Sequence, residues 1–191
     1  MRVTVLSGGP VAISGEEKEI VLERLLRAHE AWFDVVRGHE FAGRTFPGYA
    51  ELHSSSERYV LVKRAKLWGV SNHEYLFFDV TDRVDSVYLD VMIPFMEHEA
   101  IRKVRLDPDH MSSFLSLVAV ADEVDDSAAR AIRRTRFRKN FAFGFRGWAD
   151  LRLAAIDLSR RQVFTNPMGK ELRETLEANL GEAPGSVPTI G

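Results

Sequence analysis

The 191-residue sequence contains no cysteine. That excludes disulfides, thiol nucleophiles, thiolate-bound zinc and iron–sulfur clusters. No apolar run approaches the roughly 18 residues that a bilayer-spanning helix needs. The first residues, MRVTVLSGGPVAISGEEKE, are apolar only briefly before Gly8-Gly9-Pro10, too briefly for the core of a secretory signal. A formal charge of -2 gives no global field to hold a polyanion, so any nucleic-acid reading must rest on a local patch. These absences point to a cytoplasmic chain with no membrane partner.

The common chemical signatures are missing too. Six histidines stand at 29, 39, 53, 73, 98 and 110. None forms the H-x-x-x-H or H-E-x-x-H spacing that sets two ligands on one helix face. There is no phosphate loop, no dinucleotide fingerprint and no G-x-S-x-G elbow. VKRAK (62–66) has lysines but no acidic partner for a magnesium nuclease. Neither a metal nor a cofactor is expected, and a metal site would need distant residues such as His73, Asp109 and His110.

What is present is an ordinary globular pattern, with 45% hydrophobic and 28% charged residues. It predicts one domain over 1–180 and a flexible C-terminal tail, rich in Pro and Gly, over 181–191. Ser14 and Glu17 have capping-box spacing, and Val21, Leu22, Leu25, Ala28, Trp32 and Val36 continue a helical stripe, so a helix is expected over about 15–37. The following GHEFAGRTFPGYAELHSSSE should be loop with at most a short strand. Strands are expected at 58–68, 73–80, 113–124, in FAFGFRG, in DLRLAAIDL and at VFTN. Helices are expected at 85–103, kinked or broken at Pro94, at 126–139 and at 170–180. Together these give an α+β class with a mixed or antiparallel sheet and about four helices.

Several blocks, KLW (66–68), HEYLFF (73–78), HM (110–111), GWADLRLAAIDL (147–158) and TNPMGKEL (165–172), carry a resemblance. Over roughly residues 18–178 the chain resembles a prokaryotic family of uncharacterised proteins catalogued only as a domain of unknown function. The resemblance implies no activity and transfers no catalytic residue.

The most distinctive stretch is RTRFRKNFAFGFRG (134–147), which interleaves basic and aromatic side chains. Lys139, Phe141, Ala142 and Phe143 match half of the aromatic strand of an RNA-recognition motif; Asn140, Gly144 and Arg146 do not. In a strand, Phe141, Phe143 and Phe145 would share one face, and three aromatics on one face are expected to be core. Bare rings beside the arginines would instead favour RNA. Arg130, Arg133, Arg134 and Arg138 fall on one face of a helix, where they could meet phosphates or pair with Asp122, Glu123, Asp125 and Asp126.

With Lys139 and Trp148 these arginines are the polyanion-binding candidates. His73, Glu74, His110, Asp150 and Arg152 are the pocket candidates, with an Asp150–Arg152 ion pair expected on one strand face. Asp157, inside an apolar run, must be exposed or paired. The sequence therefore favours a non-catalytic binding module with a protein partner or self-association. RNA or another polyanion is the alternative, and a small-molecule enzyme without a local motif the second.

Overall fold

A computed structural model of the chain describes residues 15–53, 72–106, 112–145 and 147–181. It is a single α+β domain built on one mixed, open sheet. Helix α1 (Gly15–His29) leads into strands β1 (Asp34–Phe41), β2 (Arg44–Leu52) and β3 (Asn72–Val84). Then follow α2 (Ser86–His98), β4 (Ser112–Val124), α3 (Asp126–Arg134), β5 (Arg138–Asn140), β6 (Trp148–Asp157), β7 (Gln162–Thr165) and α4 (Arg173–Leu180). The strand order is β1-β2-β3-β4-β6-β5, with β7 also paired to β6. Strands β3, β4 and β6 run parallel; β2 is antiparallel to both its neighbours, and β5 and β7 are antiparallel to β6.

The parallel centre explains the sequence of β4. SFLSLVAVADEV has no polar face to spare because helices cover both sides. Odd-numbered Phe77, Leu117 and Leu153 pack with Leu89 and Met92 of α2 and Ile132 of α3. Even-numbered Phe78, Val118 and Ala154 pack with Leu25 and Leu26 of α1 and Leu176 of α4. Gly48 on β2 lets α1 approach, since a Cβ there would sit 2.7 Å from the Leu26 side chain.

Four expectations need correction. The first helix stops at His29 instead of continuing to 37, and Trp32 and Val36 are exposed. Val35 and Val36, β-branched, pair instead with Ala50 and Tyr49. The stretch expected to be mostly loop is the β1–β2 hairpin, closed at Ala42-Gly43, both at positive φ (48° and 76°), as a two-residue hairpin turn of the primed type requires. Helix α2 runs through Pro94 and ends at His98, so the expected 85–103 helix is shorter and its last part is a 3₁₀ turn at Ala100–Lys103. Helix α3 ends at Arg134, where Thr135 N–H donates back to Ala131 and Ile132, so Arg138 lies on a strand.

The last helix is 3₁₀ over Lys170–Leu172 before α4 begins. The strand expected at 58–68 and the tail beyond Gly181 lie outside the described residues.

Candidate functional site

The strand expected in FAFGFRG is absent. β5 pairs with β6 through only three residues, Arg138 to Asp150, Lys139 to Ala149 and Asn140 to Trp148. The chain then reverses: Ala142, Phe143 and Gly144 all take left-handed backbone values, with φ of 46°, 56° and 93°. Phe141 N–H donates to Gly147 O and closes the turn. The period-two argument requires continuous strand, and the reversal begins one residue after Phe141. Phe141 therefore packs partly against the core, while Phe143 is 99% and Phe145 93% exposed. Two non-glycine residues in left-handed conformations are a local cost of order 1–3 kcal/mol each. Two bare phenylalanines add an exposed apolar surface at the same place.

The charges around this turn are segregated. From Ser127 to Ala149 the sequence has no acidic residue and seven basic ones. Arg130, Arg133, Arg134, Arg136 and Lys139 are exposed. The Arg133 guanidinium lies 5.2 Å from the Phe164 ring centroid, and Lys139 lies 5.9 Å from that of Phe141. The expected single row is broken, because Arg138 has left the helix. It grips Asp150 with both arms at 2.6 and 2.7 Å and covers the Trp148 ring at 5.2 Å. The upstream acids make their close ion pairs elsewhere, although Asp126 also attracts Arg130 and Arg133 at longer range. Asp122 receives Lys18, Asp125 receives Arg83 and Asp126 receives Arg160.

The pocket candidates divide between the two sheet faces. Glu74, Asp150 and Arg152 share the α1/α4 face, and Trp148 lies at its edge. Arg152, only 2% exposed, stacks its guanidinium 3.6 Å over the Phe114 ring. It donates to Glu74 at 3.2 Å and to Glu171 at 2.8 Å. The expected Asp150–Arg152 pair is replaced by Arg138–Asp150 and Arg152–Glu74. Burial pushes the Glu74 carboxyl upward, against the pull of Arg152. His73 is a neighbour of Glu74 in sequence but points to the opposite face. There it meets His53, Nδ1 to Nδ1, at 3.1 Å. His110 lies outside the described residues.

Sequence spacing missed that second polar group. His53 Nε2 lies 3.6 Å from Glu51 Oε1, and the Tyr49 hydroxyl donates to the other Glu51 oxygen at 2.8 Å. The signal was hidden because Glu51 and His53 sit near the end of β2 and His73 twenty residues on. Among the described residues, no group of three or more His, Asp or Glu is arranged to hold a metal.

A concavity of about 400 Å³ opens at the carboxyl ends of β3 and β4. Arg83, Arg130 and Arg160 line it together with Glu123, Asp125 and Asp126. Two of its three arginines are already tied to carboxylates, so it offers little net charge.

A family model described as Domain of unknown function (DUF8052) matches residues 17–178. The chain belongs to this family. The DUF8052 match runs from within α1 to within α4 and so takes in the whole sheet. No curated protein and no solved structure matches the chain. Among the described residues, no helix of this DUF8052 member is long and apolar enough to cross a membrane.

Proposed function

We propose that the chain is a cytoplasmic, non-catalytic binding module that takes single-stranded RNA on the β5–β6 turn. The observation that carries this reading is the exposure of Phe143 and Phe145 inside an acid-free, arginine-rich segment. Unpaired bases stack on aromatic rings, each stack contributing about 1–3 kcal/mol, while arginine and lysine hold the phosphates. A protein-docking surface would have a different character, because interface cores are apolar and depleted of charge. Here the two exposed rings have basic neighbours in sequence. Duplex is a poorer ligand, since its bases are already stacked on one another.

The test is fluorescence anisotropy of a labelled mixed-sequence RNA of about 20 nucleotides. With about four phosphate contacts, raising salt from 50 to 200 mM should weaken binding about fifty-fold. A Phe143→Ser/Phe145→Ser double variant should lose binding while remaining folded. No measurable affinity at low salt, or unchanged affinity in that variant, ends the RNA reading. In the first case the turn would then be examined as a protein-docking element.

A further inference from the structure

We propose that His53 and His73 bind a divalent transition-metal ion of the zinc class between their Nδ1 atoms. Two nitrogens that each lie about 2.05 Å from zinc are about 2.9 Å apart at a right angle and about 3.3 Å apart at the tetrahedral angle. The two nitrogens share an N–H···N hydrogen bond at 3.1 Å, a separation between these values, so an ion that displaces the shared proton can be seated with little change in the distance between the rings.

The surroundings fit a ligand role. A metal-bound histidine commonly directs its other ring nitrogen at a carboxylate, which fixes the tautomer and aims the free lone pair at the ion. His53 Nε2 faces Glu51 at 3.6 Å, and Tyr49 steadies that carboxylate from its far side. In the tautomer this favours, Nε2 carries the proton and the Nδ1 lone pair points at His73. His53 Nε2 is buried without a closer hydrogen-bond partner; ligation at Nδ1 makes its N–H a stronger donor and tightens the contact with Glu51. The Tyr75 ring lies edge-on to His53 at 5.7 Å, and His73 is itself buried, so both rings are held by packing.

Two protein ligands do not make a closed structural site. With two ligands among the described residues, the remaining coordination positions are open to water, a small ligand or a further side chain. This inference is independent of the RNA reading, because it concerns other residues, at the end of β2 and the start of β3, with β4 between them and β6.

The experiment is titration of the chelator-treated protein with Co²⁺, followed by visible absorption, and with Zn²⁺, followed by thermal melting. The expected results are a ligand-field spectrum saturating at one ion per chain and a higher Tm with zinc. His53→Gln, just past the end of β2, should weaken affinity at least tenfold, and His73→Gln likewise. His98→Gln, a change at an exposed histidine on α2, should leave it unchanged. If wild-type protein gives no cobalt spectrum and no zinc-dependent Tm shift, the site does not exist. Retention of both signals in His53→Gln would equally overturn it, and because this reads affinity on the folded variant, instability of His73→Gln does not blur the outcome.

Discussion

Asn166 and Leu153 are joined by two hydrogen bonds. Leu153 N–H donates to Asn166 Oδ1 at 2.9 Å, and Asn166 N–H donates to Leu153 O at 3.0 Å. Strand β7 ends at Thr165, so a side chain supplies what would otherwise be the next rung of the ladder. The same oxygen accepts from Gly169 N–H at 2.8 Å, while Nδ2 donates to Leu151 O at 2.8 Å. A Cβ at Gly169 would lie 2.8 Å from the Leu153 carbonyl, so the turn can close only on glycine. This gives the TNPMGKEL block a structural role.

Asn166→Ala is expected to be severely destabilising. It strands the buried Leu153 N–H and the Leu151 carbonyl, each worth about 1–3 kcal/mol when left unsatisfied, while Gly169 N–H keeps its 3.1 Å bond to the Asn166 main-chain oxygen. Urea unfolding should show a loss of about 3 kcal/mol or more. Near-wild-type stability would mean that the turn finds other partners.

The Phe143→Ser/Phe145→Ser variant should hold its Tm. Exposed substitutions usually stay within about 0.5 kcal/mol, whereas burial of each ring in the core would have contributed roughly 1.5–3 kcal/mol. A large fall in melting temperature would mean that the rings are packed in solution.

Arg152 and Glu74 form an ion pair with both side chains almost wholly buried. Removing one partner, as in Arg152→Met, leaves a charge without its counter-ion and should cost about 3–5 kcal/mol. Arg152→Met with Glu74→Gln should recover part of that loss. A double variant as unstable as the sum of the two singles would show that the pairing itself contributes nothing.

Asp157 gives a pH dependence of definite sign. Burial alone would raise its carboxyl, but donors from Ser159, Val124 N–H, Arg160 N–H and the Arg160 guanidinium hold it below the usual carboxylate range. A depressed folded-state value contributes stability that is present above the unfolded value, about 3.8, and is lost as pH falls through the folded one. Asp157→Asn should therefore melt well below wild type at pH 7, with the gap closing below about pH 4. A gap that stays constant between pH 7 and pH 3 would contradict this assignment.

Much of the sheet was legible in the sequence. The apolar runs of β3, β4 and β6, the start of α1 and the strand at VFTN follow from periodicity and branched residues. Asp157 was legible too, since a carboxylate inside LAAIDL has to be paired. The β1–β2 hairpin was not, because its turn signal, Ala42-Gly43, is weak and Pro47 argues against a strand. Pro47 is tolerated where β2 has β1 as its only neighbour, and the pairing skips that position.

By itself, the sequence determined the lack of cysteine chemistry, the class of fold, and which runs become strands buried on both faces. These depend on composition and on period, which are local properties. Only the tertiary structure decided where the side chains converge. Whether Phe143 and Phe145 were core depended on where a hairpin reverses. The partners of Asp150 and Arg152 depended on which strand came to lie alongside. The meeting of His53 with His73 depended on sheet register. Register and reversal are set by how whole elements bury their faces against one another, and no short window of residues encodes that.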